Sequence, residues 1–114
     1  VGVNTVAAAE AFALANSAGV DIKIAADLLA VSWGGSTMVD RSAPITAARD
    51  FENSAAPVRN LDKDMGIIKQ LASDEGLALD LAVQVQRMFA EMIAQGKNEH
   101  DIAAVLEIIE ERSS

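Results

Sequence analysis

Two cations share one face of a predicted helix. Arg59 and Lys63 stand four residues apart, and Gly66 follows three later on the same side. Like charges at that spacing cost a helix about 0.2–0.5 kcal/mol, so the pair calls for a reason. One reading is an anion contact, to a phosphate or a carboxylate, with Gly66 presenting bare backbone to whatever approaches. The other is a solvated face on which Asp62 and Asp64 balance Lys63. A second candidate is the run Ser32-Trp33-Gly34-Gly35-Ser36, with two hydroxyls, two glycines and the only tryptophan between helices. It fits a small-ligand loop. It fits equally a helix stop followed by an N-cap at Ser36. A histidine can act as an acid or base near neutral pH, but no cysteine or second histidine supports His100, and a surface position in the first turn of a helix is expected. Asp101 is explained by capping, the acidic run Glu107, Glu110, Glu111 by a solvated face, and Met65, Met88 and Met92 by core positions.

The elements that hold these residues read as helices throughout. Alternating strand patterns are missing and aromatics make up only 4% of the chain. An alanine-rich first helix is expected over 3–18, apolar nearly all round and so buried on several sides. Its start lacks a capping side chain and an initiator methionine, as though the chain begins inside a helix, and an excised fragment is expected. Asp21 caps a second helix over 22–31 with Ile24, Leu28 and Val31 as its apolar stripe. Ser36 opens a short helix over 37–42, and Pro44 and Pro57 bracket an irregular stretch. Pro57 starts the helix that carries Arg59 and Lys63. Its stripe is Val58, Leu61, Met65, Ile68 and Ala72, and Gly76 ends it. A helix from 78 or 80 to 95 buries Leu81, Val85, Met88, Phe89, Met92 and Ile93. Asn98 and Asp101 resemble a capping box for a last helix bearing Ile102, Val105, Leu106 and Ile109.

Composition closes off several functions. The 114 residues form one domain. With 51% hydrophobic residues they can bury roughly 65% of their unfolded surface. Nine basic residues against seventeen acidic give a net charge of −8 and a pI near 4.4, which argues against nucleic-acid binding. The absence of cysteine and the single histidine exclude thiolate chemistry, disulfides and a multi-histidine zinc site. No metal site, membrane span or signal peptide is expected, and the cytoplasm is the expected compartment. P-loop, G-x-G-x-x-G, G-x-S-x-G and H-E-x-x-H motifs are missing.

The order of the pieces resembles the β-hydroxyacid dehydrogenases, the family of 3-hydroxyisobutyrate, tartronate semialdehyde and L-threonate dehydrogenases, related to 6-phosphogluconate dehydrogenase. Ala9-Glu10-Ala11-Phe12-Ala13-Leu14-Ala15 followed by Ala18-Gly19-Val20-Asp21 is similar to the family's AEALALAxxAGVD stretch. The segment 32–38 is similar to SSGRSWM, and Asp50-Phe51 to the DF before the substrate-side helix. Leu61-Asp62-Lys63-Asp64-Met65-Gly66 is similar to LxKDLG, and 96–106 to the closing GxGxxDxSAL. The similarities span nearly the whole chain. Gly35, Thr37, Asn98 and the segment 78–80 depart from the family pattern.

The resemblance implies an all-α, multi-helix bundle of the 6-phosphogluconate dehydrogenase C-terminal-domain type, supplying part of the substrate cleft and the oligomer contact. It implies an N-terminal Rossmann domain, outside residues 1–114, that binds NAD or NADP. The family's catalytic lysine, in a G-x-x-x-K-x-x-N-N motif, is expected just upstream of Val1, so no catalytic residue is expected in this chain, and the isolated chain should bind no cofactor and be inactive. Lys63 is implied as a cofactor-binding residue reaching toward the nicotinamide end. Ser36 and Arg59 are implied on the substrate side. The partners implied are the Rossmann domain, a small 2- or 3-hydroxy acid or its semialdehyde, and further copies in a dimer or tetramer built through the first helix. An imine reductase-type member and a helical self-association module without enzymatic role are the alternatives.

Overall fold

A computed structural model describes residues 1–52 and 54–112. Among these residues six α-helices follow in order: α1 Gly2–Ser17, α2 Ile22–Ala30, α3 Thr37–Ala48, α4 Val58–Glu75, α5 Asp80–Ala94 and α6 Val105–Arg112, the last preceded by a 3-10 turn, Ile102–Ala104. Among the described residues no helix is long and apolar enough to cross a membrane.

The core gathers around α1, which packs on α3, α5 and α6. Val6, Ala9 and Phe12 lie on its inner arc and are buried, and the buried Thr5 hydroxyl donates to the Val1 carbonyl at 2.8 Å. Small residues let α1 approach its neighbours closely. A Cβ on Gly2 would stand 2.6 Å from Met65 Sδ and 3.3 Å from Val85. Burial is one-sided, however. Leu14 is 72% exposed, because alanine on the outer arc has too little surface to draw a further layer onto the helix. From α5, Val85, Met88, Phe89 and Met92 close the core, joined by Leu106 and Ile108 of α6.

Four sequence expectations are corrected. The first concerns α2, whose apolar stripe faces solvent while the small Ala26 faces inward, since close packing on α1 and α3 favours the smaller side chain. In α3, the helix runs to Ala48 with Pro44 inside it. Proline leaves the Asp40 carbonyl without its usual i+4 donor, but packing on α1 and α2 holds the helix. Arg49, at φ +49°, ends it in the left-handed region. Next, Ile68 and Leu81, read as inward, are 40% and 67% exposed, because they lie at the outer end of the α4–α5 hairpin where no third helix covers them. Finally, Asn98 does not open a helix. The cap belongs to Asp101 alone, whose carboxylate accepts from the Ala103 N–H at 2.8 Å.

Candidate functional site

The N-terminus of α4 has no side-chain cap, since its N-cap residue is Pro57. Two backbone carbonyls from a distant loop take that place. The Val58 N–H donates to the His100 carbonyl at 2.8 Å and the Arg59 N–H to that of Asn98 at 2.9 Å. Orphan helix donors are thereby satisfied, and the helix that carries Lys63 is tied to the loop before α6. The loop is fixed in turn by Asp101. Its N–H donates to the Phe51 carbonyl at 2.7 Å, and Ile102 N–H reaches the Ala56 carbonyl at 3.1 Å.

Asp101 is the electrostatic centre of this arrangement. Its side chain is 3% exposed and receives Arg41 through both guanidinium nitrogens, at 3.0 and 2.6 Å, and the Ser54 hydroxyl at 2.6 Å. Burial by itself raises this carboxyl. The hydrogen bonds from Arg41, Ser54 and the Ala103 N–H, with the Arg41 charge, outweigh it and hold the group below the usual aspartate range. Sequence reading saw in Asp101 only a cap. Its ion-pair partner lies sixty positions away on α3, and no local pattern announces a pair at that separation.

The two cations of α4 have different fates. Arg59 Nε donates to Glu99 at 2.7 Å and its Nη1 to the Asn60 side chain at 2.9 Å. Glu99 thus answers the like-charge spacing that drew attention to it. Lys63, one turn on, is exposed and makes no hydrogen bond or ion pair among the described residues, with Asp62 and Asp64 included. Gly66 leaves the surface beside it open, for a Cβ there would meet no atom within 4 Å.

Both hydroxyls of the Ser32–Ser36 loop serve the backbone. Ser32 donates to the Leu29 carbonyl at 3.0 Å and accepts from Gly34 N–H at 3.2 Å, ending α2. Ser36 accepts from Val39 N–H at 3.0 Å and opens α3. Trp33 projects wholly into solvent. Ser36 also lines a small cavity of about 200 Å3 with Asn4, Ala8 and Leu29. The cavity lies at the first turns of α1, as does the contact between Gly2 and Met65 of α4. Ser36 and the Lys63 helix therefore flank the same end of α1, although neither Arg59 nor Lys63 lines that cavity. His100, expected on the surface within a helical turn, precedes the turn and is half-buried, with a buried and unpartnered Nδ1, because its carbonyl is engaged in holding α4. Among the described residues no group of three or more His, Asp or Glu could hold a metal ion.

Residues 1–109 match the family described as NAD-binding of NADP-dependent 3-hydroxyisobutyrate dehydrogenase. The chain belongs to this hydroxyacid dehydrogenase family. It is 30% identical over 110 residues to an L-threonate dehydrogenase of Haemophilus influenzae, a match covering 94% of this chain and 35% of that protein. A crystal structure of a 3-hydroxyisobutyrate dehydrogenase from Salmonella typhimurium superposes with a TM-score of 0.88 at 30% identity, over 94% of this chain and 37% of that one. A Mycobacterium tuberculosis 3-hydroxyisobutyrate dehydrogenase, at 23% identity, shares the fold with a TM-score of 0.84, over 95% and 39%. The chain spans little more than a third of the length of these relatives. Its all-helical architecture is the one expected for a C-terminal domain of this family.

Proposed function

We propose that this chain is the helical, substrate-side domain of a longer NAD- or NADP-dependent oxidoreductase acting on a small 2- or 3-hydroxy acid or its semialdehyde. One observation carries the reading: Lys63 is exposed and without an ionic partner among the described residues, on a helix fixed at its N-terminus, beside open backbone at Gly66. A solvated lysine there offers a positive charge to an anionic ligand. The chemistry of the side chain and the space beside it fit a dinucleotide approaching from a second domain. That second domain is the Rossmann domain of the resemblance, and the family description, which attaches NAD binding to this helical region, supports a cofactor contact here.

In this reading the cofactor supplies the hydride chemistry when bound. Lys63 binds and orients it. Arg59, already held by Glu99, contributes mainly by keeping the first turn of α4 in place, and Ser36 lines the substrate side of the cleft. The proton-transferring lysine belongs to the segment before Val1, which the proximity of Gly2 to Met65 would bring toward the Lys63 helix. The isolated chain, with neither that lysine nor a dinucleotide fold, is expected to turn over no substrate.

Lys63→Ala in the full-length protein tests the assignment. Hydrogen bonds to charged groups contribute about 1.5–3 kcal/mol. The KM for NAD(P) is therefore expected to rise ~10- to 100-fold, with an unchanged melting temperature. A change in kcat/KM below about twofold would remove Lys63 from the cofactor site. Turnover by the isolated chain would defeat the division of labour between two domains.

A further inference from the structure

We propose that the cavity between the first turns of α1 and the Ser32–Ser36 loop takes the uncharged, hydroxyl-bearing end of the substrate, and that Asn4 selects for it. The inference rests on the reading of this chain as a substrate-side domain. Within that reading it names the class of acid: a polyhydroxy acid rather than one with a plain aliphatic end. The cavity holds about 200 Å3, less than the ~300–1,000 Å3 of pockets that take drug-sized ligands. It has room for a few heavy atoms, the end of a small acid. Its floor is aliphatic, formed by Ala7, Ala8, Leu29 and Val39. Asn4 stands three and four residues before Ala7 and Ala8, so the three share one face of α1.

The polar side chains on the wall are those of Asn4 and Ser36, and none of the described residues that line the cavity carries a charge. The Asn4 side chain makes no hydrogen bond among the described residues, so its amide keeps two donors and an acceptor to offer. Ser36 Oγ accepts from the Val39 N–H at 3.0 Å, which leaves its own proton to donate. The backbone of the loop is already engaged. Gly34 N–H donates to Ser32 Oγ and Gly35 N–H to the Ser32 carbonyl, both at 3.2 Å. No side chain can enter at Gly35, where a Cβ would stand 2.5 Å from the Leu29 carbonyl oxygen. A wall of neutral donors and acceptors matches a hydroxyl, which gives one hydrogen bond and takes another. A carboxylate would lose its water there with no cation to meet it, and an alkyl end would leave the covered amide of Asn4 unpaired. The hydroxyl end therefore enters, and the carboxylate of the same molecule stays outside.

The test compares two acids on the full-length protein with NAD and NADP: a four-carbon 2,3,4-trihydroxy acid and its analogue without the terminal hydroxyl. The wild-type protein is expected to prefer the trihydroxy acid by about tenfold or more in kcat/KM, because a site that hydrogen-bonds a substrate hydroxyl rejects the analogue lacking it. Asn4→Leu, close in size and without the amide, is expected to bring that ratio within about threefold of one. The loss should fall on the trihydroxy acid, with the KM for NAD(P) and the melting temperature unchanged; a merely structural role would weaken both acids together. Ala7→Leu fills the cavity but keeps Asn4, and is expected to raise the KM for the trihydroxy acid about tenfold. A protein that turns over small hydroxy acids without preferring the trihydroxy acid to its analogue, or whose preference Asn4→Leu leaves unchanged, would overturn the assignment of the cavity and leave the dehydrogenase reading standing. A full-length protein with no NAD(P)-linked turnover of any small hydroxy acid would overturn both.

Discussion

Arg41 on α3 and Asp101 before α6 meet as a two-pronged ion pair, with the carboxylate buried and the guanidinium partly in water. Around this pair Phe51, Ser54 and Ala56, the 97–101 loop and the start of α4 are bonded into one unit. Removing one partner of a buried pair costs about 3–5 kcal/mol, because the other charge is left uncompensated. Arg41→Ala is therefore expected to lower unfolding stability by about 3 kcal/mol or more. Asp101→Asn should cost less, since the cation it frees reaches solvent. Urea denaturation of the two variants decides the order.

The same carboxylate sets the response to acid. Asp101 titrates below its unfolded value of about 3.9. Glu110 is also lowered, chiefly by its hydrogen bonds from Arg49. A lowered carboxyl stabilises the fold fully above its unfolded pKa and loses that contribution as pH falls through the folded one. Stability is expected to be flat from pH 5 to 7 and to drop below about pH 4. Asp101→Asn should make that drop shallower, as followed by thermal melts across the pH range.

Two glycine-to-alanine changes are expected to have opposite signs. At Gly35 a Cβ would stand 2.5 Å from the Leu29 carbonyl oxygen, which is backbone and cannot step aside. Gly35→Ala should cost about 1–3 kcal/mol, the usual range for overpacking. At Gly66, inside α4, a Cβ meets nothing. Gly66→Ala should stabilise the chain by roughly 0.5–1 kcal/mol through helix propensity. If the surface beside Lys63 receives a cofactor, the same change should raise the KM for NAD(P) in the full-length protein. A stabilised variant with unaltered KM would argue against backbone contact there.

Pro44 lies within α3, where proline costs about 3 kcal/mol relative to alanine in a helix interior. Pro44→Ala restores the N–H that the Asp40 carbonyl lacks. The greater freedom of the unfolded chain returns roughly 0.4–1 kcal/mol of that gain. A net stabilisation of about 2 kcal/mol is expected, read as a rise in melting temperature.

Most of the architecture was legible from local chemistry. Apolar spacing on α4, the Asp21 and Ser36 caps, and the glycine stops at Gly76 and Gly96 act within a few residues of their own positions, so the sequence shows them directly. The order of the motifs likewise pointed to the family. Tertiary structure decided which way each face turns and which charges meet. Periodicity marks a stripe on α2 but not the side on which small residues pack better. Propensity ends a helix at Pro44, but contacts from α1 and α2 override it. Arg59 finds Glu99 forty positions away, and Asp101 finds Arg41 sixty away. Lys63 finds no such partner among the described residues. These outcomes depend on the closure of the chain on itself, which brings distant residues within hydrogen-bond range and which no local spacing encodes.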